Sequence, residues 1–327
     1  MFKALVLELV GETVVPVVKE IAESFLTDGD LLVRVHYSTV NYKDGMAITG
    51  TGKIVRSYPI IPGVDLAGEV VESQSSTFKT GDMVVVTGFR MGELYNGGLS
   101  QMARVRSQWA IKIPPSLSTK RVMEIGTAGL TSMLSVLTLE EHGTVPGADV
   151  LVTGAAGGVG SIAVAILAKL GYNVSASTGR SSEERYLKSL GASEVIERYQ
   201  LSEAVSRPLL SERWNGAIDT VGGTTLSNIL LQIRYGGCVT SVGLAGGANF
   251  STNVYPFLVR AINLVGIDSV MTPLPRRELA WNRLGEDLDP KYLESMVSYV
   301  ALDDVVSVAE KIMNGKVRGR TVVDLTQ

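Results

Sequence analysis

The chain has 327 residues, 45% of them hydrophobic, which is enough for two domains with buried cores. Its formal net charge of −3 gives no electrostatic footprint for nucleic acid or an anionic membrane. One cysteine (Cys238) excludes an internal disulfide, and with only His36 and His142 beside it no structural zinc site can be assembled.

Residues 1–120 read as short strands separated by turns. Strands are expected at 2–7, at 31–36 where Leu-Leu-Val-Arg-Val-His alternates, at 68–72 and at 83–87. Turn signals lie between them, at Asp28-Gly-Asp30, Pro62-Gly63, Lys79-Thr-Gly-Asp82 and Asn96-Gly-Gly98, so a compact barrel-like β domain is expected. Pro114-Pro115 closes it, and a helix is predicted over 121–139. Residues 1–10 are too short a run, interrupted by Glu8, for a signal peptide. The apolar run near 162–167 is broken by Lys169, short of the ~20 residues that span a bilayer. A cytoplasmic protein without membrane or nucleic-acid partners is expected.

From residue 150 the pattern becomes strand, helix, strand. Four apolar or β-branched residues, Val150 to Thr153, read as a buried strand, followed by Gly154-Ala-Ala-Gly-Gly-Val-Gly160 and a helix over 161–170. A strand, a glycine turn and a helix leave a helix N-terminus open to a diphosphate. In the G-x-G-x-x-G pattern the matching positions are Ala155, Gly157 and Gly160, with Gly154 supplying the sharp turn that the first glycine usually gives. The second strand, 173–177, arrives about 20 residues on, where an NAD site carries an Asp or Glu. Here stand Ser177, Thr178, Gly179 and Arg180, which suit a 2′-phosphate, so dinucleotide binding is expected and NADPH is favoured over NADH.

Further strands are expected at 193–196, 216–222, 237–243 and 264–268, with helices at 182–190 and 225–234, making one doubly wound parallel sheet. The tail opens with Thr272-Pro-Leu-Pro-Arg-Arg277 and ends in a helix over 304–313 and a strand over 321–325. The fold class is therefore α/β, with a division into 1–123, 124–269 and a segment 270–327 that returns to the first domain.

In such sheets ligands bind beyond the carboxyl ends of the strands. The glycines of Val221-Gly-Gly223 and Gly243-Leu-Ala-Gly-Gly247 lie there. Tyr42 and Asp44 follow a β-domain strand directly and either can orient substrate or pass a proton; turn formation is the competing role for both. His36 alternates within its strand and reads as structural, His142 as a helix cap, and Cys238 as core. No nucleophile–base pair is apparent, which argues against covalent hydrolysis.

The order of motifs resembles the medium-chain dehydrogenase/reductase superfamily over the full length, and within it the zinc-free acryloyl-CoA reductase group, often labelled quinone oxidoreductase-like. The residues that carry the resemblance are Val40-Asn-Tyr-Lys-Asp44, Ile61-Pro-Gly-Val-Asp-Leu-Ala-Gly68, Ile125-Gly-Thr-Ala-Gly129, Thr153 to Gly160 and Tyr186-Leu-Lys-Ser-Leu-Gly-Ala192. Ala217-Ile-Asp-Thr-Val-Gly222, Tyr235-Gly-Gly-Cys-Val239, Asp268-Ser-Val-Met-Thr-Pro273 and Gly319-Arg320 add to it. The resemblance implies a GroES-like catalytic β domain, a Rossmann domain and a nicotinamide held in the cleft between them.

By that likeness Tyr42 lies by the nicotinamide, and Ala156, Gly157, Gly158 and Val159 by the diphosphate. Thr178, Gly179, Arg180 and Arg198 take the 2′-phosphate side, and Leu244, Ser269 and Arg320 line the rest of the site. Zinc-dependent relatives carry Gly-His-Glu where this chain has Gly63-Val-Asp65, so no metal is expected. The implied reaction is NADPH-dependent reduction of a 2-enoyl thioester, acryloyl-CoA above others. The rivals are a quinone or enone reductase and a protein that binds NADPH without turnover. The resemblance also implies a homodimer. Lys53, Arg56, Arg276, Arg277 and Arg283 are candidates for the phosphates of a CoA ester, with solvated surface charge as the competing role.

Overall fold

The alternation at 31–36 extends further than its hydrophobic signal. In the computed structural model, which describes residues 1–326, the strand runs Leu31–Thr39, with Leu31, Val33 and Val35 turned into the core and Arg34 outward. It pairs antiparallel with Asp65–Ser73, which pairs with Met83–Thr87, and that with Ile111–Lys112. On its other edge lies Arg320–Asp324, followed by Val297–Ala301, while Met102–Val105 also pairs with Leu31–Thr39. A separate hairpin joins Phe2–Val10 to Thr13–Ile21. The second hairpin strand is not apparent in the sequence, because Thr13–Ile21 is only half-buried and lacks a clean alternation. This is the GroES-like domain.

In the second domain six parallel strands stand in the order third (Glu194–Glu197), second (Asn173–Thr178), first (Asp149–Thr153), fourth (Trp214–Asp219), fifth (Ile233–Ser241) and sixth (Asn263–Gly266). That order defines a Rossmann sheet and places its switch point between the first and fourth strands. Leu151, Ala217 and Val239 are fully buried, as a sheet covered on both faces requires. The fourth strand stops at Asp219, three residues before the expected end, because Gly222 and Gly223 take positive φ and turn the chain. The fifth begins at Ile233 and its preceding helix ends at Leu230, so the 225–234 helix expected from the pattern is shorter.

The chain divides into Met1–Thr127 with Val270–Glu278 and Met296–Gln327, and Ala128–Ser269 with Leu279–Ser295. The segment expected to return whole to the first domain is thus shared. Leu279–Ser295 goes with the Rossmann unit, where Trp281 and Leu284 are buried and Arg283 pairs with Glu140. The helix Thr119–Glu141 is long and apolar enough to cross a membrane, a feature the sequence reading did not single out, yet its most apolar stretch is buried in the molecule. It is broken at Gly126 (φ 55°, ψ −162°), a conformation closed to other residues.

Candidate active site

The glycine turn after the first Rossmann strand leads into the helix Gly158–Lys169, capped by Gly157 with no side chain over its first N–H groups. A Cβ on Gly160 would stand 2.4 Å from the Gly154 carbonyl oxygen and 2.6 Å from Ala155 Cα, so only glycine lets this helix meet the turn. Gly158 and Val159 therefore open the helix with free first-turn N–H groups beside Ala156, a fit for a diphosphate, whereas the Gly157 N–H is taken by the Gly154 carbonyl at 2.9 Å, which corrects the expectation for Gly157.

Thr178 closes the second strand, and its carbonyl accepts the Arg198 N–H at 2.8 Å. The Arg198 guanidinium packs over Gly179, where a Cβ would stand 2.4 Å from its Cζ. Arg180 Nη2 donates to the Ala156 carbonyl at 3.3 Å. Arg180 thus reaches the glycine turn and Arg198 packs over Gly179 beside it, two cations near the Thr178 hydroxyl at the end of the second strand, a donor set that fits a phosphate dianion.

Beyond the fourth, fifth and sixth strands opens a cavity of about 510 Å³, lined by Gly222, Gly243, Leu244, Gly247 and Asp268 among others. Leu244 is half exposed on its wall, and Ser269 follows Asp268. The wall is held by Asp219 of the Ala217-Ile-Asp-Thr-Val-Gly222 run, to which the sequence assigns no role of its own. Its buried carboxylate accepts Thr153 Oγ1 at 2.6 Å and the Gly222 N–H at 2.8 Å, tying the first strand to the fourth. Burial pushes this carboxyl above its ordinary value.

In the GroES-like domain Tyr42 opens the helix Tyr42–Thr49 and is 42% exposed. Asp44 is not a surface group. It is 2% exposed, and its Oδ2 accepts the Asn41 N–H at 2.8 Å while Oδ1 accepts the Val64 N–H at 3.0 Å. Asn41 and Asp44 form a capping box, which corrects the expectation that Asp44 faces substrate: both oxygens are committed to holding backbone. Burial pushes the Asp44 carboxyl up to about 6, assisted by the Asp65 charge and opposed by the hydrogen bonds from Asn41 and Val64.

Asp65, read from sequence only as a missing metal ligand, is the centre of a buried network. Its Oδ2 accepts Thr39 Oγ1 at 2.6 Å, Asn41 Nδ2 at 2.9 Å and the Thr127 N–H at 3.0 Å, and its Oδ1 accepts Thr127 Oγ1. Arg320, 3% exposed, donates through Nη1 to Asn41 Oδ1 at 2.8 Å and lies 3.8 Å from Asp65. The polar residues Ser38, Thr39 and Asn41 at the end of an apolar strand are the signal for this network in the sequence.

Arg277 and Arg283 leave the set of candidate phosphate binders. Arg277 is buried and donates to the Thr87, Val270 and Thr272 carbonyls, and Arg283 is paired with Glu140 and Asp287. Lys53 and Arg56 are exposed. His142 Nδ1 lies 2.8 Å from the Thr138 carbonyl at its helix end, and Cys238 is core.

A model described as "Alcohol dehydrogenase GroES-like domain" matches residues 27–115, and one described as "Zinc-binding dehydrogenase" matches 158–281. The acrylyl-CoA reductase AcuI of Ruegeria pomeroyi is 49% identical over 328 residues, 99% of each chain. The chain belongs to the medium-chain dehydrogenase/reductase family. Among solved members of this family, the yhdH oxidoreductase from Salmonella enterica in complex with NADP superposes with a TM-score of 0.97 at 48% identity, covering 98% of this chain and 99% of that one. The Bacillus subtilis protein yhfP with NAD bound gives 0.96 at 43%, covering 99% of each.

Proposed function

We propose that this medium-chain dehydrogenase/reductase reduces the C=C bond of a 2-enoyl thioester with NADPH, the favoured reaction being acryloyl-CoA to propanoyl-CoA. The observation that carries the substrate is the end-to-end likeness to the Ruegeria pomeroyi acrylyl-CoA reductase. The cofactor rests on the two arginines at the end of the second strand, Arg180 reaching the glycine turn and Arg198 packed over Gly179, with no carboxylate on the last residues of that strand.

Ala156, Gly158 and Val159 bind the diphosphate through backbone N–H groups, Gly157 leaving room for it beside the helix start, and Thr178, Gly179, Arg180 and Arg198 bind the 2′-phosphate. Leu244 and Ser269 line the remainder of the cofactor site, whereas Arg320, buried against Asn41 and Asp65, is not part of it. NADPH, when bound, supplies the hydride, which adds to the β-carbon of the conjugated thioester. The charge that then collects on the thioester oxygen needs a hydrogen-bond donor, and the α-carbon needs a proton. Tyr42, exposed at the first turn of its helix, orients the acceptor and donates a proton directly or through water. Asp44 holds that turn in place. No metal takes part, since the oxygens of Asp65 are engaged by Thr39, Asn41 and Thr127. The protein acts in the cytoplasm as a homodimer.

The test follows NADPH absorbance in the wild-type protein with acryloyl-CoA, with a quinone and with no acceptor. Faster turnover with the thioester is expected. Preference for the quinone makes the protein a quinone reductase, and no turnover with either makes it a binding protein.

A further inference from the structure

Asn41 is the residue on which the buried charges of the GroES-like domain converge. Its Nδ2 lies 2.9 Å from Asp65 Oδ2, 3.2 Å from Asp44 Oδ2 and 2.9 Å from Thr39 Oγ1, and its Oδ1 accepts Arg320 Nη1 at 2.8 Å. Among the described residues it alone bonds both carboxylates and the guanidinium. Two carboxylates share one guanidinium in a region closed to water, and an amide, with donor and acceptor on one planar group, joins like charges without adding another.

Helix capping does not by itself call for asparagine here. Serine and aspartate cap a helix about as well. A serine hydroxyl is too short and has too few donors to replace the bridge, and an aspartate would set a third carboxylate against the other two. The seat of Arg320 is equally specific. Gly126 breaks its helix at φ 55°, and a Cβ there would stand 2.3 Å from Arg320 Nη2 and 2.9 Å from Asp65 Oδ2. Asn41 immediately precedes Tyr42, so the group that fixes the charges also fixes the start of the helix that carries the tyrosine.

We propose that Asn41 is a positioning residue for the reaction, its carboxamide locking Arg320, Asp44 and Asp65 into one arrangement that sets the stance of Tyr42. This rests on the reading of Tyr42 as the residue that meets the acceptor. The charged groups acting on Asp44 are Asp65, on the neighbouring strand, and Arg320.

The experiment compares Asn41→Ser and Asn41→Asp with the wild type. The Asp44 carboxyl carbon is titrated by NMR in the cofactor-free protein, and kcat and KM are measured with whichever acceptor, thioester or quinone, the wild type reduces. Both variants keep the helix cap. The Asp44 midpoint moves to higher pH in each, further in Asn41→Asp, because a donor is lost in one and a negative charge is added in the other. kcat falls roughly 10- to 100-fold, the span of a lost charged hydrogen bond, with a smaller change in KM. A wild-type kcat in either folded variant, or an unmoved Asp44 midpoint, overturns the proposal and leaves Asn41 a helix cap. Should Asn41→Ser not fold, the isosteric Asn41→Asp carries the comparison. The choice of acceptor is settled on the wild type alone, so the proposed reaction and the role of Asn41 can fail separately.

Discussion

The guanidinium of Arg198 lies where a side chain on residue 179 would have to go, its Cζ 2.4 Å from the position of a Cβ on Gly179. A glycine at the end of the second strand thus lets a cation from beyond the third strand pack there, on the side proposed for the 2′-phosphate. Arg180→Ala and Arg198→Ala are each expected to weaken NADPH roughly 10- to 100-fold and to leave NADH within a few-fold. Gly179→Ala is expected to act in the same direction by displacing Arg198. Fluorescence titration with both cofactors is the check, and equal weakening of the two would assign these residues to the fold or the adenine.

Gly160→Ala is expected to do something different. Its methyl would meet the Gly154 carbonyl and Ala155 Cα, forcing the helix Gly158–Lys169 off the turn. Unfolding free energy falls by about 1–3 kcal/mol, the usual cost of overpacking. NADPH and NADH weaken together, because the diphosphate is common to both. Denaturant melts alongside the same titrations separate this variant from the arginine ones.

Asp44 gives stability a pH dependence of unusual sign for an aspartate. Its carboxyl stands at about 6 in the folded protein against the ordinary 3.8. The folded state therefore holds its proton over a range where the unfolded chain has released it. The contribution to stability is whole below about pH 4 and is lost as pH rises through 6, about 3 kcal/mol in all. Relative to Asp44→Asn, the wild type is expected to lose stability between pH 4 and pH 7. A flat difference in urea melts across that window would contradict it.

Tyr42→Phe removes the phenol and little else from an exposed helix start. Turnover is expected to fall at least about tenfold, as for loss of a proton donor, with NADPH affinity within a few-fold. Steady-state rates and a separate binding titration distinguish this from a damaged cofactor site.

Prolonged chelation is expected to leave the rate unchanged. Among the described residues no three of His, Cys, Asp and Glu gather as a metal site, and Asp65 is saturated with protein donors. Loss of activity on dialysis against chelator, restored by zinc, would refute the metal-free reading.

The strand, glycine turn and helix were legible because their determinants are neighbours in the chain. A buried strand, a glycine turn and a helix fall within Val150 to Lys169, and Ser177 to Arg180 end the next strand. Sterics and hydrogen bonding of adjacent residues dictate that arrangement, and with it the alternation of strand and helix that makes the Rossmann sheet. The capping role of Asp44 was open in the same stretch, since Asn41 and Asp44 stand three apart, the spacing of a capping box.

Only the tertiary structure decided the rest. Arg320 reaches Asn41 across 279 residues, and Thr127 reaches Asp65 across 62. No local preference encodes such meetings, because they depend on which strands pair and in what register. The same holds for Arg277, whose sequence surroundings suggest a surface cation and whose guanidinium is consumed by three backbone carbonyls. It holds for Leu279–Ser295, whose allegiance to the Rossmann unit follows from the burial of Trp281 and Leu284 there. Local spacing determined the strand, glycine turn and helix, and the motifs quoted for the resemblance pointed to the family and, with Ser177 to Arg180, to the cofactor. Long-range packing determined which polar groups lost their water, and therefore which of them became a network.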